Sequence, residues 1–417
     1  MTQIPELPGC GHDAPAIALA EALDRIRALL EPIDGQHRVA LRSGLGEVLA
    51  QPIVAPAAVP AHDNAAMDGY AIRHSDADRD PLQVVGSAFA GHPYTDRTLA
   101  PGECVRIMTG GVVPDGADAV VMQERVHASG DTVEVRHWPE QGENIRLAGE
   151  DLAPGDTILA PGRRLNAADL GLIASVGQAE IWVKRPLRVA FFSTGDELRS
   201  LGQTLGPGEL YDSNRYTLYG MLSRLGVSLL DLGVVPDDPA ALQQALDQGA
   251  READVILSSG GVSVGEADYM VDLLKAGGQA HLWRIAMKPG RPLTFGRYGS
   301  AWYFGLPGNP VSVMVTFTQV VVPALRYLVG EQHTPARRFS VRCQGPLRKR
   351  PGRQEFQRGR LMEQSDGTLR VESVGKQGSG ILRSMSEANC FIVLPADSES
   401  VASGEWVVVE PFLAGGL

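Results

Sequence analysis

The chain has 417 residues, a formal net charge of −11 and an isoelectric point near 5.4. A chain of this length is too long for one hydrophobic core, so we expect several domains. The acidic balance argues against nucleic acid or an anionic membrane as the main partner, and an anionic ligand would need a local basic pocket.

The N-terminal half is predicted to begin with one helix and to continue as β-rich modules. Residues 16–30 place apolar residues at helical spacing with charges on the other face, as in an amphipathic helix used for packing or dimerisation. Between residues 54 and 182, glycine, proline and β-branched residues are frequent and turn signals recur. Closely spaced turns between short apolar stretches favour short strands.

The pattern changes at residue 186, where strand-like and helical stretches begin to alternate. The strand-like stretches are 187–192, 228–235, 255–257 and 302–306, and the helical ones are 216–225, 240–250 and 311–329. This alternation predicts a doubly wound α/β domain with a parallel sheet and helices on both faces. After residue 333 short strands return, which indicates a small C-terminal β-barrel-like domain.

The four cysteines and the apolar segments indicate a cytoplasmic protein. The cysteines show no CxxC pair and no nearby histidine at metal-ligand spacing, which is typical of small buried residues in a reducing compartment. The first residues lack the basic and apolar regions of a secretory signal. The apolar stretch 311–329 is interrupted by polar residues and is predicted to be a buried helix of a soluble protein. The cysteines are Cys10, Cys104, Cys343 and Cys390.

Residues 254–269, DVILSSGGVSVGEADY, are the most informative segment. A short apolar strand stops at Ser259, Gly260 and Gly261, where paired glycines let the backbone approach a ligand. Glu266 and Asp268 follow. A buried strand, a glycine turn and acids can form an anion and metal site at the carboxyl edge of an α/β sheet. An ordinary strand-to-helix turn with solvated acids is the alternative.

A second turn, STGDEL, follows the first α/β strand and adds amides, hydroxyls and acids. It contains Ser193, Thr194, Gly195 and Glu197. Asp237 follows another strand in the same way, as does Asp268. Acids after three strands of one sheet converge on one rim, and carboxylate oxygens suit Mg²⁺. The convergence favours a functional site over a solvated surface.

The segment KPGRP contains two cations, Lys288 and Arg291, together with two prolines and a glycine. Its prolines restrict the backbone, so both cations would be presented with little loss of entropy. The following PGNP turn opens a helix, whose free amides form an anion cradle. A rigid helix entry is the alternative for PGNP. FQRGR and KQGSGIL contribute Arg358 and Ser379 from the last domain.

Three motifs of the N-terminal half carry further candidate residues. Asp63 lies in DNAAMDGYA, Thr109 in RIMTGGVVP and Asp151 in ENIRLAGEDL. A threonine hydroxyl beside glycine amides can hold a phosphate. Structural loops and a surface ion-pair cluster stay open as alternatives, because asparagine and aspartate also stabilise tight turns.

Seven motifs in order over most of the chain closely resemble the molybdopterin molybdenumtransferase family, which includes the bacterial MoeA protein and the gephyrin E domain. They are DNAAMDGYA, RIMTGGVVP, ENIRLAGEDL, STGDEL, SSGGVSVGEADY, KPGRP and LPGNPVS. The resemblance implies an elongated homodimer whose active cleft lies between the α/β and C-terminal domains of one subunit and the β domain of the other. It also implies four domains: residues 1–53 with 142–185 for linkage and dimerisation, an inserted β-rich domain 54–141, a molybdopterin-binding α/β domain 186–332, and a C-terminal β domain 333–417.

The resemblance also implies a reaction, in which molybdate is inserted into adenylylated molybdopterin with Mg²⁺ and AMP is released. The implied catalytic positions are Asp63, Thr109, Asp151, Glu197, Asp237, Asp268 and Lys288, and the predicted Mg²⁺ ligands are Glu197, Asp237 and Asp268. The predicted substrate-binding positions are Ser193, Thr194, Gly195, Ser259, Gly260, Gly261, Arg291, Pro307, Pro310, Ser312, Arg358 and Ser379. Arg284 and Arg291 stand where lysine is usual in the bacterial proteins, which changes the donor geometry but keeps the charge.

Two other functions stay open on the sequence. One is the sister activity, adenylylation of molybdopterin by ATP, since its enzyme resembles the α/β domain. A molybdopterin adenylyltransferase is also an expected partner, from which this protein would receive the intermediate. The other is a cofactor-binding scaffold without catalysis. The extra β domains argue against the first, and the acids at Glu197, Asp237 and Asp268 argue against the second. The sequence does not distinguish molybdate from tungstate.

Overall fold

The computed structural model describes residues 15–260 and 269–412. The chain divides into two compact units, one from Arg38–Val183 and the other from the described parts of Met1–His37 and Lys184–Leu417. Gly261, Glu266 and Asp268, as well as Cys10, lie outside the described residues. Cys104, Cys343 and Cys390 are buried free thiols, which confirms the prediction for these three.

The unit Arg38–Val183 contains a six-stranded sheet, which confirms the β-rich character predicted for this part of the chain. Across the sheet the strands are Ala119–Met122, Gly69–Ile72, Glu103–Ile107, Leu82–Ala88, Thr132–Val135 and Val126–Ser129. Only the pair Leu82–Ala88 and Glu103–Ile107 is parallel in this sheet. Apolar residues cover both of its faces.

Shorter elements complete this unit around a third apolar cluster. Two antiparallel pairs join Ile53–Val54 to Thr157–Leu159 and Asn64–Ala65 to Ile145–Arg146. The helix Ala167–Ser175 begins with a capping box, in which Asn166 and Asp169 satisfy each other's backbone donors. Strands Gln36–Ala40 and Glu180–Lys184 cross the boundaries of this unit at Arg38 and Val183, and the 3₁₀ turns Leu41–Gly44, His74–Asp76 and Gln123–Arg125 lie within it.

The predicted N-terminal helix is present as Leu19–Leu29. Its residues Ala22 and Ile26 are buried in the same apolar cluster as Leu325 and Leu328 near the end of the long apolar helix. The helix therefore packs its apolar face within its own unit, as its residue pattern predicts.

The α/β domain is built on a six-stranded sheet. Its strands are β1 (Arg188–Thr194), β2 (Ser228–Val235), β3 (Val255–Ser259), β4 (Gly278–Arg284), β5 (Pro292–Tyr298) and β6 (Ala301–Leu306). They lie in the order β2-β1-β3-β6-β5-β4. The first four are parallel neighbours, as predicted, whereas β5 runs antiparallel to both β6 and β4. This antiparallel edge was not predicted.

Helices cover both faces of the sheet, which confirms the doubly wound fold. Alternate residues of β1 point to opposite faces, so Phe191 joins one apolar cluster and Phe192 the other. On the Phe191 side lie helices Ser213–Ser223 and Pro310–Thr316, and on the Phe192 side lie Pro239–Glu252 and Tyr269–Gly277. A short pair, Leu198–Arg199 with Leu210–Tyr211, follows β1.

The long apolar helix runs over Pro310–Leu328. It consists of Pro310–Thr316, a π turn at Phe317–Val321 and Val322–Leu328. By length and composition it is the one helix of the described residues that could cross a membrane. Val313, Val320 and Leu325 are buried in the apolar core, so it packs as the core helix that the sequence predicts.

The last part of the chain is a closed five-stranded barrel, as predicted. Around the barrel the strands are Gln354–Glu363, Leu369–Ser373, Phe339–Cys343, Trp406–Pro411 and Cys390–Leu394, and the last pairs again with the first. A short strand, Met287–Lys288, joins the barrel in parallel to Gln354–Glu363. The helix Arg383–Glu387 completes the domain.

Candidate functional site

The carboxyl ends of β1 and β3 are joined by a buried hydrogen-bond network. Ser193 and Ser259 are neighbours in register, and their hydroxyl oxygens are 3.1 Å apart. The Ser193 hydroxyl also donates to Oδ1 of Asp212 over 3.0 Å. Asp212 is 1% exposed and also accepts from the backbone N–H of Arg215 at the start of the next helix. The network fixes two predicted binding residues, Ser193 and Ser259.

Glycines bring the backbone of these two turns close together. Gly260 has φ +91°, and a Cβ there would collide with the backbone of Thr194. Gly195 has φ +154°, and a Cβ there would come within 2.7 Å of the Glu197 carboxylate. Only glycine combines these backbone angles with such close approach. Thr194 is buried, and its hydroxyl has no hydrogen-bond partner within the described part of the chain.

Two of the three predicted magnesium ligands lie close together. The backbone N–H of Asp237 donates to Oδ1 of Asp196 over 3.3 Å. The pKa of Asp237 is raised by burial and by the negative charges of Asp196 and Glu197. Asp268 lies outside the described residues. Within 15–260 and 269–412, no group of three or more His, Cys, Asp or Glu side chains has the arrangement of a metal site.

The first predicted cation of KPGRP, Lys288, is held by a carboxylate of the barrel. Its ammonium nitrogen lies 3.2 Å from Oε1 of Glu355, which is 3% exposed. Gly290 follows with φ +93°, and a Cβ there would collide with the hydroxyl of Thr316 on the long helix. Arg291 is exposed, and its carbonyl accepts from the N–H of Ile285 over 2.8 Å. The loop therefore packs closely against both the sheet and the long helix.

The start of the long helix contacts the barrel at a predicted binding residue. The N–H of Val311 donates to the carbonyl of Ser379 over 3.0 Å. Ser312 is buried one residue further along the helix. Pro310 is the first helical residue and Pro307 is buried in the preceding turn. The structure thus brings the PGNP turn and the KQGSGIL loop together.

Arg358 is a buried cation beside the same loop. It is 1% exposed, and its guanidinium donates to the carbonyl of Gly378 over 3.1 Å and to the Ser384 hydroxyl over 3.0 Å. Burial lowers its pKa to about 10. Among the described residues no carboxylate forms an ion pair with it, although a buried cation normally has an anionic partner. The hydrogen bonds of this buried cation go to hydroxyl and carbonyl oxygens.

Asp63, Thr109 and Asp151 all lie in the other unit. The Asp63 carboxylate accepts from the N–H of Ala148 over 2.7 Å, which fits the alternative of a structural loop. Thr109 donates from its N–H and its hydroxyl to Oδ1 of Asp68, both over 2.7 Å. These bonds, first from the backbone and then from the hydroxyl, lower the pKa of Asp68.

Asp151 lies in a cleft of about 690 Å³ within this unit. The polar lining is supplied by Asn64, Arg146, Glu150 and Asp151, together with the backbone around Gly110. Arg146 and Glu150 therefore share one cavity with Asp151. The cleft is mixed in charge, with one guanidinium and two carboxylates.

Sequence reasoning did not identify Asp212, Asn214, Glu355 and Asp68 as supporting residues. Asn214 donates to the carbonyl of Gly308 over 2.8 Å, so Asp212 and Asn214 connect the ends of β1, β3 and β6. The run Asp212-Ser213-Asn214 opening a helix was a visible signal. Glu355 had no such signal, because its partner is 67 residues away.

Three protein families match consecutive parts of the chain. They are described as MoeA N-terminal region (domain I and II) for residues 17–177, Probable molybdopterin binding domain for residues 190–327, and MoeA C-terminal region (domain IV) for residues 340–412.

Individual relatives agree with these matches. Molybdopterin molybdenumtransferase of Haemophilus influenzae is 43% identical over 375 residues, which cover 89% of this chain and 93% of the relative. The protein of the same name from Nostoc sp. is 35% identical and covers 95% of this chain and 94% of the relative. The solved structure of the molybdopterin biosynthesis moeA protein from Pyrococcus horikoshii OT3 is 30% identical, with a TM-score of 0.81 over 95% of this chain and all of that one.

Proposed function

Because the chain belongs to the molybdopterin molybdenumtransferase family, we propose that it inserts molybdate into adenylylated molybdopterin with Mg²⁺ and releases AMP. The family relationship shows that the protein is a transferase of molybdenum cofactor biosynthesis that acts on a molybdopterin-related substrate. Molybdate as the oxyanion, the adenylyl group of the substrate and the Mg²⁺ ion are the parts of the reaction that we propose beyond this.

The observation that carries the proposal is the buried guanidinium of Arg358, which forms no ion pair with a carboxylate of the described residues. It adjoins Gly378, and the next residue, Ser379, accepts a hydrogen bond from Val311 at the start of the long helix. A buried cation beside hydroxyl groups suits a tetrahedral oxyanion, because the fork of guanidinium donors matches its oxygens. Molybdate as substrate would therefore bind near Arg358, Ser379 and Ser312.

Lys288 and Arg291 would supply further positive charge to the oxyanion. Both belong to the loop that packs against the long helix through Gly290 and Thr316. Cations that are already in place stabilise developing negative charge without reorganising during the reaction. Their role would be to bind and orient molybdate beside the dithiolene sulfur atoms of the pterin substrate.

The nucleotide and pterin side would use the turns after β1 and β3. Gly195 and Gly260 allow close backbone approach, and Ser193 and Ser259 are held in place by Asp212. Backbone amides of such turns bind phosphate oxygens. These residues would orient the pyrophosphate of the adenylylated substrate at this edge of the sheet.

The acids Glu197 and Asp237 fit a magnesium ion. Asp237 lies beside Asp196 and near Glu197, and its pKa is raised first by burial and then by repulsion from these two acids. A divalent cation would relieve this repulsion, and carboxylate oxygens are the ligands that Mg²⁺ prefers. Glu197 and Asp237, with Asp268 as a predicted third ligand, would hold it. When bound, Mg²⁺ polarises the pyrophosphate.

The test is an AMP-release assay with purified protein. Adenylylated molybdopterin, Mg²⁺ and molybdate are supplied together and with each component omitted, and sulfate replaces molybdate in a further control. We expect AMP release that requires molybdate. Absence of such release refutes the insertase, ATP consumption with free molybdopterin identifies the adenylyltransferase, and binding of the cofactor without either reaction identifies a scaffold.

Four further expectations from the sequence remain predictions. They are the homodimer, acceptance of the intermediate from a molybdopterin adenylyltransferase, the cytoplasmic location, and the four domains with boundaries at residues 54, 142, 186 and 333. Light scattering measures the oligomeric state directly. Limited proteolysis with mass spectrometry tests the boundaries, because linkers between domains are cleaved first.

A further inference from the structure

We propose that Glu355 is a positioning residue that fixes the ammonium group of Lys288 and weakens the attraction of that group for the substrate oxyanion. The inference rests on the proposed function, because it assigns Lys288 to the oxyanion side of the reaction. Glu355 belongs to the barrel and would act on the substrate through Lys288.

The Glu355 carboxylate is buried, and each of its oxygens has a donor. Oε1 accepts from the Lys288 ammonium over 3.2 Å, and Oε2 accepts from the Gln357 side-chain amide over 3.0 Å. The same amide nitrogen donates to the carbonyl of Arg348 over 2.8 Å. The carboxylate is therefore held from the barrel side and cannot rotate freely away from Lys288.

The backbones of the pair are also held together. Met287 and Lys288 pair in parallel with Gln354 and Glu355, and the N–H of Gln354 donates to the carbonyl of Ala286 over 2.9 Å. The two side chains therefore start from adjacent, fixed positions on neighbouring strands. A free lysine side chain loses much rotamer entropy when a substrate orders it. Because Glu355 already holds the side chain of Lys288, less entropy is lost when the substrate binds.

The two members of the pair differ in exposure. The side chain of Lys288 is 45% exposed, whereas that of Glu355 is 4% exposed. The ammonium group can therefore contact an anion from the solvent side while it stays paired with the buried Glu355 carboxylate. Because the carboxylate partly cancels its charge, the anion is attracted less strongly than by an isolated lysine. Glu355 thus determines both the position of the Lys288 ammonium group and its net attraction for an anion.

Glu355→Gln separates these two effects. The glutamine keeps the shape but removes the charge, so the ammonium is less well fixed and carries an uncompensated charge. We expect kcat for AMP release to fall about tenfold, as for a misplaced catalytic group, while the KM for molybdate falls about threefold because the attraction grows. A merely structural role would lower the stability without such a split.

A double-mutant cycle on molybdate affinity provides the decisive measurement. Calorimetry is used on the wild type, Glu355→Gln, Lys288→Ala and the double variant, so that the result does not depend on turnover. We expect the effect of Glu355→Gln on the affinity to differ between the two backgrounds, because only with Lys288 present does the carboxylate also fix the ammonium group. An equal effect in both backgrounds overturns the proposal, as does an unchanged kcat in Glu355→Gln.

Two further variants serve as controls for the Glu355→Gln experiment. Glu372→Gln removes a cross-strand ion pair of the same barrel, with Arg360 at 3.7 Å, and is expected to leave kcat and KM unchanged. Glu355→Asp keeps the charge at a shorter reach and should restore part of kcat, and it replaces the glutamine variant if that one does not fold. If the wild type itself releases no AMP, the proposed function fails, whereas failure confined to the cycle rejects only the role of Glu355.

Discussion

Ser193 donates a hydrogen bond from its hydroxyl to the buried carboxylate of Asp212 over 3.0 Å. Asp212 also caps the helix Ser213–Ser223 and lies 3.9 Å from the guanidinium of Arg215. The Asp212 carboxylate thus connects the end of β1 to the first turn of the helix Ser213–Ser223 and to the guanidinium of Arg215. This connection holds the edge of the sheet on which the proposed substrate site lies.

We predict that Asp212→Ala is more damaging than loss of an ordinary helix cap. Loss of a cap costs about 1 kcal/mol, and a buried donor left without its partner adds about 1–3 kcal/mol. Asp238→Ala is the matched control, because Asp238 is exposed and caps Pro239–Glu252 through Ala240 and Ala241 only. Chemical unfolding followed by fluorescence measures both variants, and equal losses in the two would contradict the role given to Asp212.

The sequence was sufficient for the turns and for the parallel part of the sheet, because both depend on local patterns. The glycine turn at Gly260 and the helix start at Pro310 were both predicted from a few adjacent residues. The antiparallel strands β4 and β5 were missed, since glycine, proline and charged residues interrupt or border their apolar stretches.

The supporting residues could not be predicted, because their partners are distant in sequence. Glu355 meets Lys288 only when the barrel packs against the α/β domain, and nothing near Glu355 in the sequence indicates this. For the same reason Arg358 was assigned from the resemblance alone, whereas its burial beside Gly378 is a result of the tertiary structure.

The Asp254 ion pairs predict an acid-sensitive contribution to stability at the opposite, amino end of the sheet. Burial alone would raise the pKa of Asp254, but hydrogen bonds from Arg185 and Arg188 outweigh it and lower the pKa to about 2. Arg185 binds both carboxylate oxygens, at 2.7 and 2.9 Å. Since the pKa is below its unfolded value of 3.8, the contribution is complete above pH 4 and is lost as the pH falls towards 2.

We therefore expect Asp254→Asn to lower the free energy of unfolding by about 2 kcal/mol at pH 7, because the pKa of Asp254 falls from 3.8 to about 2 on folding. The difference from the wild type should shrink between pH 4 and pH 2. Urea unfolding at several pH values measures it. Glu180→Gln, which breaks the exposed pair with Arg38, is the control and should change stability by less than about 1 kcal/mol. A pH-independent loss in Asp254→Asn would show that the ion pairs are not its cause.

Asp237→Asn tests the magnesium site without relying on turnover. Mg²⁺ that binds only the folded state raises its stability, by about 2.7 kcal/mol at a hundredfold excess over Kd. We expect Mg²⁺ to raise the Tm of the wild type and to have a much smaller effect on Asp237→Asn. The neighbouring Asp238→Asn removes the same charge but keeps a good helix cap, so it should respond to Mg²⁺ like the wild type. Equal Mg²⁺ responses in the two variants would exclude Asp237 as a ligand.

Arg358→Met tests whether the buried guanidinium is kept for an oxyanion. Methionine is apolar and unbranched like the aliphatic part of arginine, and it removes a buried cation whose desolvation lowers its pKa to about 10. At neutral pH the wild-type guanidinium is charged, and we expect molybdate to raise the Tm of the wild type but not that of Arg358→Met. Arg358→Lys keeps the charge but cannot reach Gly378 and Ser384 together, so its response to molybdate should be intermediate. If molybdate protects the methionine variant as well as the wild type, the oxyanion binds elsewhere and the buried cation has only a structural role.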